Sequence, residues 1–152
     1  MKPATRGLLI GCGSVVLVGV AFAVALVVWF RVNGDGLVAR GKAAQAAGAS
    51  AGARLADAQC VDAALADYKN DRGLVGAVQA RLWLTGCLGT ARATEGFCTG
   101  TPAEGQIMAS ATWRVAACDA HGLGGDSTCP NILAEVQKHC DARVGGPRGP
   151  KP

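Results

Sequence analysis

The residues of this chain with the most chemistry to offer are seven cysteines and two histidines. Cys118-x2-His121 and His139-Cys140 together supply two sulfurs and two nitrogens, the donor set of a tetrahedral zinc site. Such a site needs both pairs in one place. If the two stretches form an antiparallel helical hairpin, the pairs fall at opposite ends of it. The reading is then two surface histidines beside disulfides, with no metal and no other cofactor. No Cys-x2-Cys occurs, which leaves a thioredoxin-type redox site and c-type haem attachment without support. A phosphate-cradling glycine loop after a strand and His-Glu-x2-His are also missing. Asp57, Asp62 and Asp67 recur every fifth residue, so on a helix they spread around its surface and make no acid/base pair. No catalytic residue is named, and the chain is not read as an enzyme.

Six of the cysteines, Cys60, Cys87, Cys98, Cys118, Cys129 and Cys140, form an even set in one small region. That density argues for three disulfides in an oxidising compartment. Aromatic residues are only 5% of the chain, so the core is thin and covalent staples are valuable to it.

Four helices are expected to position these cysteines. The first runs from about Arg54 to Lys69, with Cys60, Val61, Ala64, Leu65 and Tyr68 as its apolar stripe. Asn70 to Gly73 is a turn. The second covers about Leu74 to Leu88, with Leu74, Val75, Val78, Leu82 and Thr85 on one side and Trp83 and Cys87 beside them. Thr101-Pro102-Ala103-Glu104 has the form of a capping box and predicts the third helix start. Its stripe is Ile107, Met108, Ala111, Val115 and Cys118, and it stops near Gly122. Ser127 or Thr128 caps the fourth, with Pro130 in its first turn, and its stripe is Ile132, Leu133, Val136 and Cys140. Trp83 and Trp113 are read as core or as covers for disulfides.

Helix ends then rank the disulfide pairings. Cys129 and Cys140 sit about 16 Å apart along one helix, beyond the reach of a bridge. A hairpin of helices three and four joins Cys118 to Cys129. A loop folding back joins Cys98 to Cys140, and Cys60 pairs with Cys87 across a staggered first hairpin.

Ahead of this region lies Leu8 to Phe30, 23 residues with no charge. As a helix they span about 34 Å, enough for a bilayer core. Lys2 and Arg6 precede the run, and Trp29, Phe30 and Arg31 close it as an interfacial edge does. Two other readings fit less well. Ala21-Phe22-Ala23 matches a signal-peptidase site, but cleavage there leaves an apolar head. Leu9-Ile10-Gly11-Cys12 resembles a lipobox, but nearly all of the apolar run follows it. Gly7, Gly11, Ser14 and Val18 make a small-residue face through which two such helices could weakly associate.

Between residues 54 and 143 there are eight Lys/Arg and ten Asp/Glu, a slightly acidic domain without a basic stripe, so no nucleic-acid partner is expected. The expected class is all-α: one N-terminal transmembrane helix plus a small disulfide-stapled domain of about four helices in two hairpins. The divisions are a cytoplasmic leader (1–7), the span (8–30), a Gly/Ala-rich spacer (31–53), the domain (54–143) and a disordered tail (144–152). The partners expected are the lipid bilayer and another envelope protein. The domain lies outside the cytoplasm, as an interaction or scaffold module. The competing function is thiol-redox or metal handling.

Overall fold

The computed structural model describes residues 4–145, with side chains for 17–29, 31, 36 and 38–143. Met1 to Pro3 of the leader, residues 146–152 of the tail, and the side chains at Gly7, Gly11, Cys12, Ser14 and Phe30 lie outside what is described. Five α-helices are named: α1 (Ala4–Gly52), α2 (Asp57–Asn70), α3 (Leu74–Thr90), α4 (Ile107–Ala120) and α5 (Cys129–Gly145). The described residues form no strand beyond an isolated bridge between Ala56 and Arg92. The chain divides into two compact units, residues 1–40 and 41–152.

The first unit is the N-terminal part of α1, and the described apolar side chains from Leu17 to Trp29 are exposed. Among the described residues, no helix is long and apolar enough to cross a membrane. The apolar run expected to do so falls partly on residues 8–16 and 30, whose side chains are outside the description.

In the second unit the chain runs up and down five times. Its hub is α5, which packs against α2, α3 and α4. From Ile132 to Gln137 every residue of α5 is buried, more than one stripe. The stripe of α2 (Cys60, Val61, Ala64, Leu65, Tyr68) is buried as its spacing implies.

The two remaining helices correct their expected stripes. On α3, Leu74, Val75 and Val78 are exposed, and the helix instead buries Gly76, Ala77, Ala80, Leu84, Gly86, Cys87 and Leu88. On α4, Ile107, Met108, Ala111 and Val115 face outward. Ser110, Trp113, Arg114, Ala117 and Cys118 form the inner face, with the same helical period rotated around the axis. The stretch expected as a spacer is helical to Gly52, and its last dozen residues pack on α3. A Cβ on Gly48 would stand 2.0 Å from the Trp83 carbonyl oxygen, and one on Gly86 2.0 Å from that of Gln45. This seam is built from small residues whose backbones touch, which a search for large apolar residues does not detect.

Helix ends also differ from the expectation. The Thr101–Glu104 capping box does not form, and α4 begins at Ile107 without a side-chain cap. The backbone that would have made the first turn is bonded elsewhere. The Pro102 carbonyl accepts from Gln137 Nε2 (3.0 Å), the Ala103 carbonyl from Ser110 Oγ (3.1 Å), and the Glu104 N–H donates to Asp141 Oδ2 (2.8 Å). At its other end α4 stops as expected near Gly122. Gly122 takes φ +71°, with Leu123 N–H donating to the Cys118 carbonyl and Gly122 N–H to Asp119, a Schellman motif anchored by buried Leu123. α5 begins at Cys129, directly after Thr128 as expected, and the side chain that accepts at its start is that of Asp126. Its Oδ1 accepts from the N–H groups of Thr128 (2.8 Å) and Cys129 (2.9 Å).

Candidate functional site

The disulfides join the helices at both ends of the bundle. Cys60–Cys87 (Cα–Cα 5.9 Å) ties α2 to α3, Cys118–Cys129 (6.1 Å) closes the α4–α5 hairpin, and Cys98–Cys140 (5.4 Å) fastens the α3–α4 loop to α5. This is the connectivity that helix geometry ranked first. The sulfurs of Cys118 and Cys140 are therefore bonded to Cys129 and Cys98 and are not thiolates. Their neighbouring histidines also lie apart. His121 sits at the foot of the bundle, Nδ1 3.6 Å from Asp62 Oδ1, whereas His139 lies by the other end, its ring edge-on to Phe97 at 6.2 Å. Among the described residues, no group of three or more His, Cys, Asp or Glu side chains is placed to hold a metal.

Three polar clusters brace the helices. Asp57, expected on the solvated surface, is fully buried. Its carboxylate accepts from the N–H groups of Ala58 (2.9 Å) and Thr94 (3.0 Å) and from Arg143 (2.9 Å). Burial pushes its carboxyl pKa up, but these bonds and that of the Thr94 side chain outweigh it and hold the pKa below the usual carboxylate value. Asp126 repeats the logic at the foot. Burial raises it, while Cys129, Thr128 and the Tyr68 hydroxyl (3.0 Å) lower it further, so it stays ionised to cap α5. Between α4 and α5, fully buried Gln137 accepts from Arg114 and donates to Ser110 Oγ (2.9 Å) as well as to Pro102. Ser110 Oγ donates to the Ala103 carbonyl while it accepts from Gln137, and so braces α4.

The concave feature with the best chemistry is a cleft where α2, α4 and α5 meet. Ala58 and Val61 form one wall, Trp113 and Ala117 a second, and Leu133 and Val136 the floor, with Phe97 at one end and Asp62 and His121 at the mouth. Its volume is 240 Å³. That is below the roughly 300–1,000 Å³ of small-molecule sites and holds about one large side chain. Each wall is a consequence of pattern. Val61 belongs to the α2 stripe, and Trp113 and Ala117 are one turn apart on the true inner face of α4. Sequence reasoning found Trp113 but missed the cleft, because the α4 stripe was assigned to the opposite face. Trp83, the other tryptophan singled out, is half-buried on α3 beside Ala63, Ala64 and Asp67 of α2. No family model, curated protein or solved structure matches the chain.

Proposed function

We propose that this chain is a single-pass membrane protein that holds a disulfide-closed helical binding module outside the cytoplasm, with its N-terminus inside. The module's cleft receives one apolar side chain of another envelope protein. The observation that carries the binding role is the cleft: Trp113, Phe97, Val61 and Leu133 enclose space for a single side chain, the form of an interface hot-spot pocket. The membrane placement rests on the uncharged run from Leu8 to Phe30, with Lys2 and Arg6 before it. The exposure of Leu17, Val18, Phe22 and Trp29 along α1 supports the same placement, because lipid would cover what water does not favour. Three disulfides support an oxidising compartment. All six cysteines of the domain are paired in disulfides, and among the described residues no group of three or more His, Cys, Asp or Glu side chains is placed to hold a metal, so no observation favours the thiol-redox or metal reading.

The test is a photoreactive side chain placed at Ala117 in cells. The expected result is an adduct with one envelope protein that fades when Ala58→Phe fills the cleft. An adduct indifferent to Ala58→Phe, in a variant that keeps its three disulfides, would overturn the binding role.

A further inference from the structure

We infer that a second hollow, between α2 and α3, receives an arginine side chain of a protein partner, held between the Trp83 indole and the Asp67 carboxylate. It lies on a different face of α2 from the cleft described above and does not depend on it. Ala63, Ala64 and Asp67 of α2 and Ala80 and Trp83 of α3 line it, and its volume is 260 Å³. That is room for one long side chain and below the roughly 300–1,000 Å³ of small-molecule sites. Ala64 and Ala80 are buried and form the floor, Ala63 and Trp83 are half-buried at the sides, and Asp67 is exposed at the rim. Larger residues would close the seam between the two helices, and three alanines leave it open. Its width is fixed in advance. Ala64 lies one turn beyond Cys60 and Trp83 one turn before Cys87, whose bridge holds the Cα atoms 5.9 Å apart. The Asn70–Gly73 turn joins the same helices at the other end. The walls are therefore formed before a partner arrives, and little ordering opposes binding.

Charge identifies the occupant. Among the described residues, the Asp67 carboxylate has no ion-pair or hydrogen-bond partner. The chain's own bases are turned elsewhere. Lys69 Nζ stands 3.8 Å from a Cβ built on Gly122, Arg72 bears on Asp126, and Arg81 and Lys138 pair with Glu135. Asp71, four residues beyond Asp67, adds negative charge at the same end of the hairpin while its carboxylate accepts from the Gly73 N–H (3.3 Å). An indole beside an unpaired carboxylate is a setting for a cation. Arginine suits it better than lysine. Its planar guanidinium stacks on the ring while its fork meets the carboxylate, and its methylene stem lies along the alanines.

The experiment follows the Trp83 indole N–H resonance by NMR in the full chain, in maltoside micelles, with variants accepted when all three disulfides form. The resonance is identified by its absence in Trp83→Phe. The probes are the peptide acetyl-Gly-Arg-Gly-amide, the same peptide with uncharged citrulline in place of arginine, and choline. The expected result is a saturable shift with the arginine peptide, none with the citrulline peptide, and binding about fivefold weaker in Asp67→Asn. No saturable shift, an equal response to the citrulline peptide, or undiminished binding in Asp67→Asn would overturn the inference. A stronger response to choline would also overturn it, assigning the hollow to a lipid head group. The variants leave the Phe97–Trp113 cleft untouched, so failure here does not bear on the proposed function.

Discussion

Helices α2 and α5 bury their largest apolar side chains, among them Leu65, Tyr68, Ile132 and Leu133, whereas α3 and α4 turn many of theirs to solvent. The two pairs are held by different physics. α2 and α5 gain from area removed from water. α3 contributes glycine and alanine to close backbone seams, and α4 is fixed through Ser110, Arg114, its own Cys118–Cys129 bridge and the Cys98–Cys140 bridge of the loop before it. Their outward residues, Leu74, Val75 and Val78 on α3 and Ile107, Met108 and Val115 on α4, are thus spare as far as folding is concerned. A small domain whose covalent and polar braces carry its stability can leave apolar residues on its surface for contacts of another kind.

The largest disturbance of this contrast comes from cutting the brace that α5 shares with the α3–α4 loop. Replacing Cys98 and Cys140 together by serine opens a loop with a sequence separation of 42. The expected loss is about 4 kcal/mol by chain entropy, read as a fall in the denaturation midpoint. Next, Gly48→Val drives a side chain into the Trp83 carbonyl. It should cost about 1–3 kcal/mol, and a stable Gly48→Val domain would show that the seam is not tight.

Acid should act on the buried carboxylates. The folded pKa of Asp57 is depressed, so its contribution is full above the unfolded value near about 4 and is lost as pH falls through the folded value. Asp57→Asn should therefore narrow the stability difference between about pH 7 and about pH 3. An undiminished acid loss in that variant would assign the effect to other carboxylates. His139 works in the same direction: burial and the nearby Arg143 lower its pKa, so protonation below about 6.5 favours the unfolded chain. The smallest effect sharpens the contrast: Met108→Ser should shift stability by no more than about 0.5 kcal/mol.

What was legible in the chain follows the same division. The stripes of α2 and α5 could be read because their large apolar residues are their buried ones, and the cysteine pairing could be read because helix ends restrict which sulfurs meet. The inner faces of α3 and α4 could not, since Leu74, Val75, Ile107 and Met108 attract assignment to a core they do not join. The seam at Gly48 and Gly86 has no hydrophobic signal. The Gln137 network and the Asp57–Arg143 pair, 86 residues apart, appear only when the fold brings them together. The same network displaced the Thr101–Glu104 capping box, a local preference overruled by tertiary bonds. For the cleft, Val61, Leu133 and Val136 were assigned to the core correctly, and only the rotation of α4 concealed that Trp113 completes it.

The most direct measurement of the central claim, a bridged domain held outside the cytoplasm by a membrane anchor, is a thiol count on protein purified from membranes. The protein is alkylated before and after reduction and weighed by mass spectrometry. The account predicts one labelled cysteine before reduction, Cys12, and all seven afterwards. Three or more labelled before reduction, or recovery of the chain outside the membrane fraction, would contradict it.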